Sequence, residues 1–256
     1  MESIFNDYLQ AIVHALFTGI LGIYLILNLQ WYSYRIERVV FRHKKQKWHL
    51  LFFVLPLITY YITERYFWIF LIFAYLPLFI GWYAKLDKKL VLTGRVKRFF
   101  GFLLIVAAGE QISCFGQCAY YSVLVPLIMA LALSMATENL FFRYYRAKAQ
   151  GKLRSMPDLK IVAITASYGK TSIKNFLHQL IGNDLAAYKT PKSVNTEIGL
   201  IADINQNLPE DTQVYIAEAG ARQRGDILTI TRLLQSDVPP SFLERVRRWP
   251  PTIPAG

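Results

Sequence analysis

Seven consecutive residues, Thr165 to Thr171, have the types and order of a loop that binds phosphate. They read Thr-Ala-Ser-Tyr-Gly-Lys-Thr and lie between a short apolar run, 159–164, and apolar residues at helical spacing from Ile173 to Ile181. The free backbone N–H groups at the start of a helix attract an anion, and the helix dipole adds to this attraction. Because the order strand, small-residue loop and helix is the one that a phosphate-binding loop requires, the segment predicts a nucleotide-binding site.

Each residue of the Gly-Lys-Thr triplet has a specific role in such a loop. Gly169 lets the backbone close around the phosphates, Lys170 reaches the β- and γ-phosphate oxygens, and the Thr171 hydroxyl ligates Mg²⁺. The general pattern G-x-x-x-x-G-K-[ST] is not met, because Ile164 occupies the position of its first glycine. The segment is therefore predicted to be a variant of the phosphate-binding loop.

A second candidate for this chemistry is the acidic residue Glu218, which follows an apolar run from Val214 to Ala217. In open α/β sheets, ligands bind outside the carboxyl ends of the strands. A carboxylate there, opposite the Gly-Lys-Thr triplet, is an oxygen ligand of the kind that Mg²⁺ prefers. We therefore expect Thr171 and Glu218 to hold the metal together. A solvated carboxylate at a strand end is the alternative interpretation.

Three segments of the second half of the chain follow one another in a characteristic order. The first is the loop 165–171, the second is Lys-Ser-Val-Asn-Thr-Glu-Ile-Gly-Leu at 192–200, and the third is Val-Tyr-Ile-Ala-Glu-Ala-Gly-Ala at 214–221, followed by Gly-Asp-Ile at 225–227. The series resembles the Mur ligases, most closely the branch that adds D-alanyl-D-alanine. The loop of that family reads T-G-[ST]-x-G-K-[ST], and Ala166 replaces its glycine here. Three segments in the same order are more specific than any one of them.

The resemblance implies a fold, a reaction and a set of site residues. The fold is an α/β P-loop domain with a parallel sheet over 159–238, like the central domain of a Mur ligase. The reaction is ATP-dependent amide formation between a UDP-muramoyl-peptide and D-Ala-D-Ala in peptidoglycan precursor synthesis, with ATP and Mg²⁺ as cofactors. The residues implied are Lys170 and Asn195 in catalysis, Thr171 and Glu218 as metal ligands, and Thr165, Ser167, Gly169, Lys170, Thr171 and Ser172 in nucleotide binding.

The first 142 residues predict a multi-span α-helical membrane region. Hydrophobic residues make up 54% of the chain and aromatic residues 15%, and the mean hydropathy is positive. A helix that crosses a bilayer needs about 20 predominantly apolar residues. Five runs meet or approach this length, so we expect about five transmembrane helices, at 11–29, 48–62, 66–82, 99–112 and 120–136. The alternative is that the second and fourth runs form a re-entrant pair.

The basic residues predict the orientation of these spans. The net charge of +12 is concentrated in stretches that flank the apolar runs, at 35–47, 85–98 and 143–154, which predicts no nucleic-acid partner. Five spans with the N-terminus outside place all three stretches on one side, and basic loops favour the cytoplasm. We therefore expect a multi-pass protein of the bacterial inner membrane, in contact with the lipid bilayer, with its nucleotide site in the cytoplasm. The only two cysteines, Cys114 and Cys118, exclude a disulfide framework.

The remaining segments predict how the two halves are connected and how the chain ends. Residues 143–158 are polar and basic and predict a linker, whereas 239–256 form a Pro/Arg-rich tail that does not resemble the family. Counterparts of the first and last Mur ligase domains are missing, so we expect a truncated ligase that binds ATP·Mg²⁺ weakly and turns over no ligase substrate. Two alternatives stay open: a P-loop ATPase coupled to a membrane transport domain, and a non-catalytic remnant or anchor. Few charges lie within the apolar runs, which counts against transport.

Overall fold

The computed structural model describes residues 2–41, 47–63, 66–114, 122–166, 168–192, 194–221 and 225–234. The described residues are mostly helical, with one small parallel sheet. The chain divides into two units, Met1–Glu138 and Asn139–Gly256. Ser167, Cys118 and the tail 239–256 lie outside the described residues.

Helices cover most of the described residues of the five predicted apolar runs, and the helix of the fifth run begins at Leu124. The helices are α1 (Glu2–Trp31), α2 (Ile36–Phe41), α3 (Lys47–Thr63), α4 (Phe67–Ala84), α5 (Gly94–Cys114) and α6 (Leu124–Arg154). Helices α3 and α4 each contain a π-helical turn, Leu50–Val54 and Leu71–Tyr75. A proline, Pro56 or Pro77, stands two residues after each turn. Proline lacks the N–H and clashes with the carbonyl four residues back, which accounts for the widened turn.

Three helical segments among the described residues are long and apolar enough to cross a membrane. They are Asp7–Trp31, Phe67–Ala84 and Leu124–Arg154, and the shorter Lys47–Thr63 is also apolar. Crossing five times with the N-terminus outside stays a prediction.

Aromatic side chains form much of the core of the first unit. Phe17 of α1 is fully buried and lies against Phe67, with ring centroids 4.7 Å apart. The hydroxyl of Tyr75 donates to the Phe52 carbonyl at 2.8 Å, so its polar atom is satisfied in an apolar setting. Flat, rigid rings of this size bury a large apolar area for few rotatable bonds, which suits the packing of helix against helix.

The second unit contains a three-stranded parallel sheet, as the sequence predicts. The strands are β1 (Lys160–Ile164), β2 (Ala187–Lys189) and β3 (Val214–Glu218), and the helices are α7 (Lys170–Ile181), α8 (Glu197–Gln206) and α9 (Asp226–Leu234). Strand β3 lies between β1 and β2. Its register pairs Glu218 with Ile164, so the last residues of β1 and β3 are neighbours.

Both faces of β3 are covered, which explains why this strand is an uninterrupted buried run. On one face Leu200, Ile204 and Leu233 pack against Tyr215 and Ala217. On the other face the core is formed by Ile164, Val214 and Ile216, with Leu177 and Ile181 of α7 against them. The contacts at Leu177 and Ile181 set the rotation of α7 about its axis.

The segment 143–158, predicted as a linker, is helical as far as Arg154. Its composition of alanine, lysine, arginine and glutamine favours a helix despite Gly151. Ala149 and Leu153 lie one turn apart and are buried in the core of the second unit. The side chain of Arg146 pairs with Glu197 at 3.1 Å. The assignment of the flanking segments to a membrane region and an ATP-binding region stays a prediction.

Candidate functional site

The Gly-Lys-Thr triplet lies at the start of α7, directly after β1 and a short loop. Gly169 precedes the helix with φ of +75°, in the left-handed region. Glycine adopts this conformation without the penalty that a side chain brings, so the chain turns into the helix at this point. Thr165 of the loop and Ser172 of the first helical turn are both exposed. The predicted order of strand, loop and helix is therefore present.

Lys170 is folded back over the loop that precedes it. Its Nζ donates to the carbonyl oxygen of Ala166 at 2.6 Å. The ammonium is thus held beside the loop backbone, and its side chain is only half-buried. An ammonium at a helix N-terminus, next to free N–H groups, creates a local positive potential that attracts phosphate.

Glu218 lies at the carboxyl end of β3 and contacts the start of α7, and its predicted role as a metal ligand stays a prediction. The Thr171 hydroxyl donates to Glu218 Oε2 at 3.0 Å, across 47 residues of sequence. The Glu218 side chain is 3% exposed, so the solvated strand end considered above is excluded. The backbone N–H of Glu218 donates to Thr190 Oγ1 at 3.3 Å, which ties the strand end to the residue after β2.

Lys174, which the sequence reasoning missed, forms a buried ion pair with Glu218. Its Nζ lies 3.2 Å from Glu218 Oε2, and its side chain is 1% exposed. The same ammonium donates to the carbonyl oxygen of Lys192. A charged group is rarely buried unless it is paired, so this contact compensates both charges. The helical spacing of the sequence could have indicated this contact. Lys174 follows Thr171 by three residues and therefore lies on the same face of α7.

Asn195 completes the surroundings of Glu218 from the segment before α8. Its Nδ2 donates to Glu218 Oε1 at 3.4 Å, and its carbonyl oxygen accepts the N–H of Gly220 at 2.8 Å. A Cβ on Gly220 would lie 2.9 Å from Asn195 Cγ, closer than side chains tolerate. Glycine at this position therefore lets the Asn195 segment approach the end of β3. Three side chains, Thr171 and Lys174 of α7 and Asn195, therefore meet at the Glu218 carboxylate.

The oxygen atoms of Thr171 and Glu218 fit a magnesium ion by their chemistry. Mg²⁺ prefers hard oxygen ligands and uses one or two carboxylates together with phosphate and water oxygens. A hydroxyl and a carboxylate oxygen already lie 3.0 Å apart here. Within the part of the chain that the structure describes, no cluster of three or more His, Cys, Asp or Glu residues is placed to hold a metal.

About a third of the chain is similar in sequence to curated proteins. UDP-N-acetylmuramoyl-tripeptide--D-alanyl-D-alanine ligase of Bacillus subtilis (strain 168) is 31% identical over 78 residues, 30% of this chain and 17% of that protein. The chain resembles the Mur ligases. The Mur ligase of the same name from Rickettsia prowazekii (strain Madrid E) is 30% identical over 79 residues, 31% of this chain and 17% of that protein. These matches confirm the resemblance that the three segments indicate.

The extent of the Mur ligase match limits what it shows. The chain spans about a sixth of the length of the two curated relatives it matches. No protein-family model matches the chain, and no solved structure matches it significantly. The similarity therefore supports a Mur ligase-like segment, and the activity of the whole relatives enters below only as a proposal.

Proposed function

We propose that this chain is a membrane-anchored, Mur ligase-like protein that binds ATP·Mg²⁺ through its second unit. The observation that carries the proposal is the hydrogen bond between Thr171 of the Gly-Lys-Thr triplet and the buried Glu218. It joins a helix start to the carboxyl end of a central parallel strand, the place where open α/β sheets bind ligands. The similarity to two ligases supports the same assignment.

In this proposal each side chain has a defined task. Lys170 offsets the negative charge of the phosphates, and Thr171 and Glu218 hold Mg²⁺. A Mg²⁺ ion held by these two residues would supply positive charge against the negative charge of the phosphates. Asn195 keeps the carboxylate of Glu218 oriented through the contact at 3.4 Å. Thr165, Ser167, Gly169 and Ser172 complete the nucleotide-binding loop.

The reaction of this class is the one that the names of the relatives describe, and the sequence predicts that the present chain by itself does not turn over its substrates. A carboxylate of a UDP-muramoyl-peptide and the amino group of D-Ala-D-Ala would be joined in an amide bond, with ATP giving ADP and phosphate. The test is the incorporation of labelled D-Ala-D-Ala into product by the purified full chain. ATP-dependent incorporation that is lost in Lys170→Ala supports the ligase, whereas nucleotide binding without incorporation restricts the function to binding.

Removal of the Lys170 ammonium is expected to weaken nucleotide binding. A hydrogen bond to a charged group contributes about 1.5–3 kcal/mol, so the affinity of Lys170→Ala for ATP·Mg²⁺ should fall by about 10- to 100-fold. The measurement is titration of the full chain in detergent with a fluorescent ATP analogue.

Lys160→Ala provides the matched control for this titration. Lys160 is an exposed lysine at the opposite end of β1, so the variant loses the same charge away from the loop. Equal affinities of the two variants would contradict a phosphate-binding role for Lys170.

We also propose that the second unit lies in the cytoplasm, next to the inner membrane. Three helices suited to a membrane support the anchoring, and the basic stretches support the orientation. An alkaline phosphatase fused after Gly151, which is active only outside the cytoplasm, is expected to be inactive, whereas green fluorescent protein at this position should fluoresce. Fusions after Gly116, which is predicted to be external, are expected to give the reverse pattern. An active phosphatase at Gly151 would reject the orientation.

A further inference from the structure

A pocket of about 440 Å³ lies between one face of α7 and the end of β2. Thr171, Asn175 and His178 line it from the helix, at the spacing that places them on one face. Lys189, the last residue of β2, and Lys192 line the other side. Of the described loop residues between β1 and α7, none lines the pocket. The pocket therefore adjoins the nucleotide loop only at Thr171.

The lining of the pocket is basic. Three lysines and one histidine line it, and no carboxylate does so among the residues that the structure describes. The charge of Lys174 is compensated by Glu218, but Lys189 and Lys192 contribute two further positive charges. The Nζ of Lys189 donates to Asn175 Oδ1 at 2.9 Å, a neutral partner that holds the ammonium without cancelling its charge. A concave surface lined by charges of one sign concentrates its field.

The backbone on the rim of the pocket is anchored by buried groups. Lys192 has φ of +45°, an unusual value for a residue with a side chain. Its carbonyl oxygen accepts a hydrogen bond from the buried ammonium of Lys174. Thr190, two residues earlier, is buried and accepts the N–H of Glu218. The segment that carries Lys192 is therefore held in place before any ligand arrives.

We propose that this basic pocket binds a phosphate group of a small molecule, at a site separate from the nucleotide loop. Lysine ammonium groups are point charges that bind phosphate, and two lysines beyond the paired Lys174 line the pocket. The volume lies within the range of small-molecule sites. The phosphate is either the free ion or part of a phosphate ester, because both present the same group to Lys189 and Lys192.

The test is designed so that binding at the nucleotide loop does not contribute. The full chain carrying Lys170→Ala, in detergent, is titrated with inorganic phosphate and with phenyl phosphate, followed by ³¹P NMR. Adding Lys189→Gln and Lys192→Gln is expected to weaken phosphate binding by about tenfold or more, because both charged contacts are lost. The matched control adds Lys148→Gln and Lys160→Gln, two exposed lysines outside the pocket lining, and is expected to change binding less than twofold.

The outcomes separate this site from the proposed function. Binding that survives Lys170→Ala and is lost in the pocket variant supports the site, and tighter binding of phenyl phosphate than of phosphate identifies an ester as the ligand. Binding that disappears with Lys170→Ala alone, or that is equal in the pocket and control variants, overturns it. A chain that carries only Lys189→Gln and Lys192→Gln is expected to keep its ATP affinity. This result would support the nucleotide site whatever the phosphate titration gives.

Discussion

The Lys174→Met variant is expected to lose about 3–5 kcal/mol of stability in its second unit, because it leaves a buried carboxylate without its counter-charge. Glu218 keeps its hydrogen bonds from Thr171 and Asn195 but loses the ammonium at 3.2 Å. With both side chains of the pair at most 3% exposed, water does not replace the lost contact. Methionine preserves most of the volume of lysine, so the loss of stability would come from the missing charge and not from a cavity.

Hydrogen exchange of the β3 backbone amides measures this loss. Val214–Glu218 is buried throughout, so its protection follows the opening of the unit. The double variant Lys174→Met/Glu218→Leu removes both charges and is expected to regain most of the protection, as replacing a buried ion pair by apolar residues often does. Lys189→Met, which loses a lysine that is only half-buried, is the matched control. Wild-type protection in Lys174→Met would show that the ion pair does not stabilise the unit.

The double variant also separates stability from function. If Glu218 holds Mg²⁺, Lys174→Met/Glu218→Leu is expected to fold but to lose the Mg²⁺ dependence of nucleotide binding. A folded double variant with unchanged Mg²⁺ dependence would remove Glu218 from the metal site and leave it a structural role only.

The Asp203→Ala variant is expected to destabilise the sheet by about 3 kcal/mol, because it leaves the polar groups of two tyrosines without their partner. Asp203 of α8 is 3% exposed and accepts hydrogen bonds from Tyr188 at 2.8 Å and Tyr215 at 3.2 Å. These tyrosines stand opposite each other on β2 and β3. The carboxylate therefore joins the edge strand to the central strand and to the helix that covers them.

The measurement for Asp203→Ala is again hydrogen exchange, now compared between β2 and β3. Asp203→Asn keeps one acceptor oxygen. Its loss of stability is expected to be roughly half that of the alanine variant, because one hydrogen bond is lost and not two. Equal protection in the alanine variant and the wild type would mean that the three side chains do not act together.

The same cluster predicts a loss of stability in alkali. Burial, followed by the nearby charge of Asp203, raises the pKa of Tyr215 above its ordinary value of 10.0. Burial, followed by the hydrogen bond to Asp203, raises the pKa of Tyr188. Unfolding lets both tyrosines ionise at their ordinary pKa, so the stability they contribute is complete below about pH 10 and is lost as the pH rises further. Protection of β3 is expected to fall above pH 10 in the wild type, and less steeply in a variant with Tyr188→Phe and Tyr215→Phe.

Much of the candidate site was predictable from residues that are close in sequence. The strand, loop and helix around Gly169 follow from local composition, and the structure has β1 and α7 where they were expected. The proximity of Thr171 and Glu218 followed from a general rule of parallel sheets and is confirmed at 3.0 Å. The prediction of a linker at 143–158 missed a helix as far as Arg154, because polar, basic residues suit both a linker and a helix whose stripe of Ala149 and Leu153 is buried.

The sequence by itself determined the features that depend on neighbouring residues: the loop with its helix start, the five apolar runs, and the basic stretches between them. Only the tertiary structure placed Lys174 against Glu218 and formed the basic pocket beside Lys189 and Lys192. The physical reason is that these contacts depend on the strand order and on the rotation of α7, and both are set by packing between residues far apart in the sequence. Strand β3 inserts between β1 and β2, and the apolar contacts of Leu177 and Ile181 turn the Lys174 face of α7 towards the strand ends.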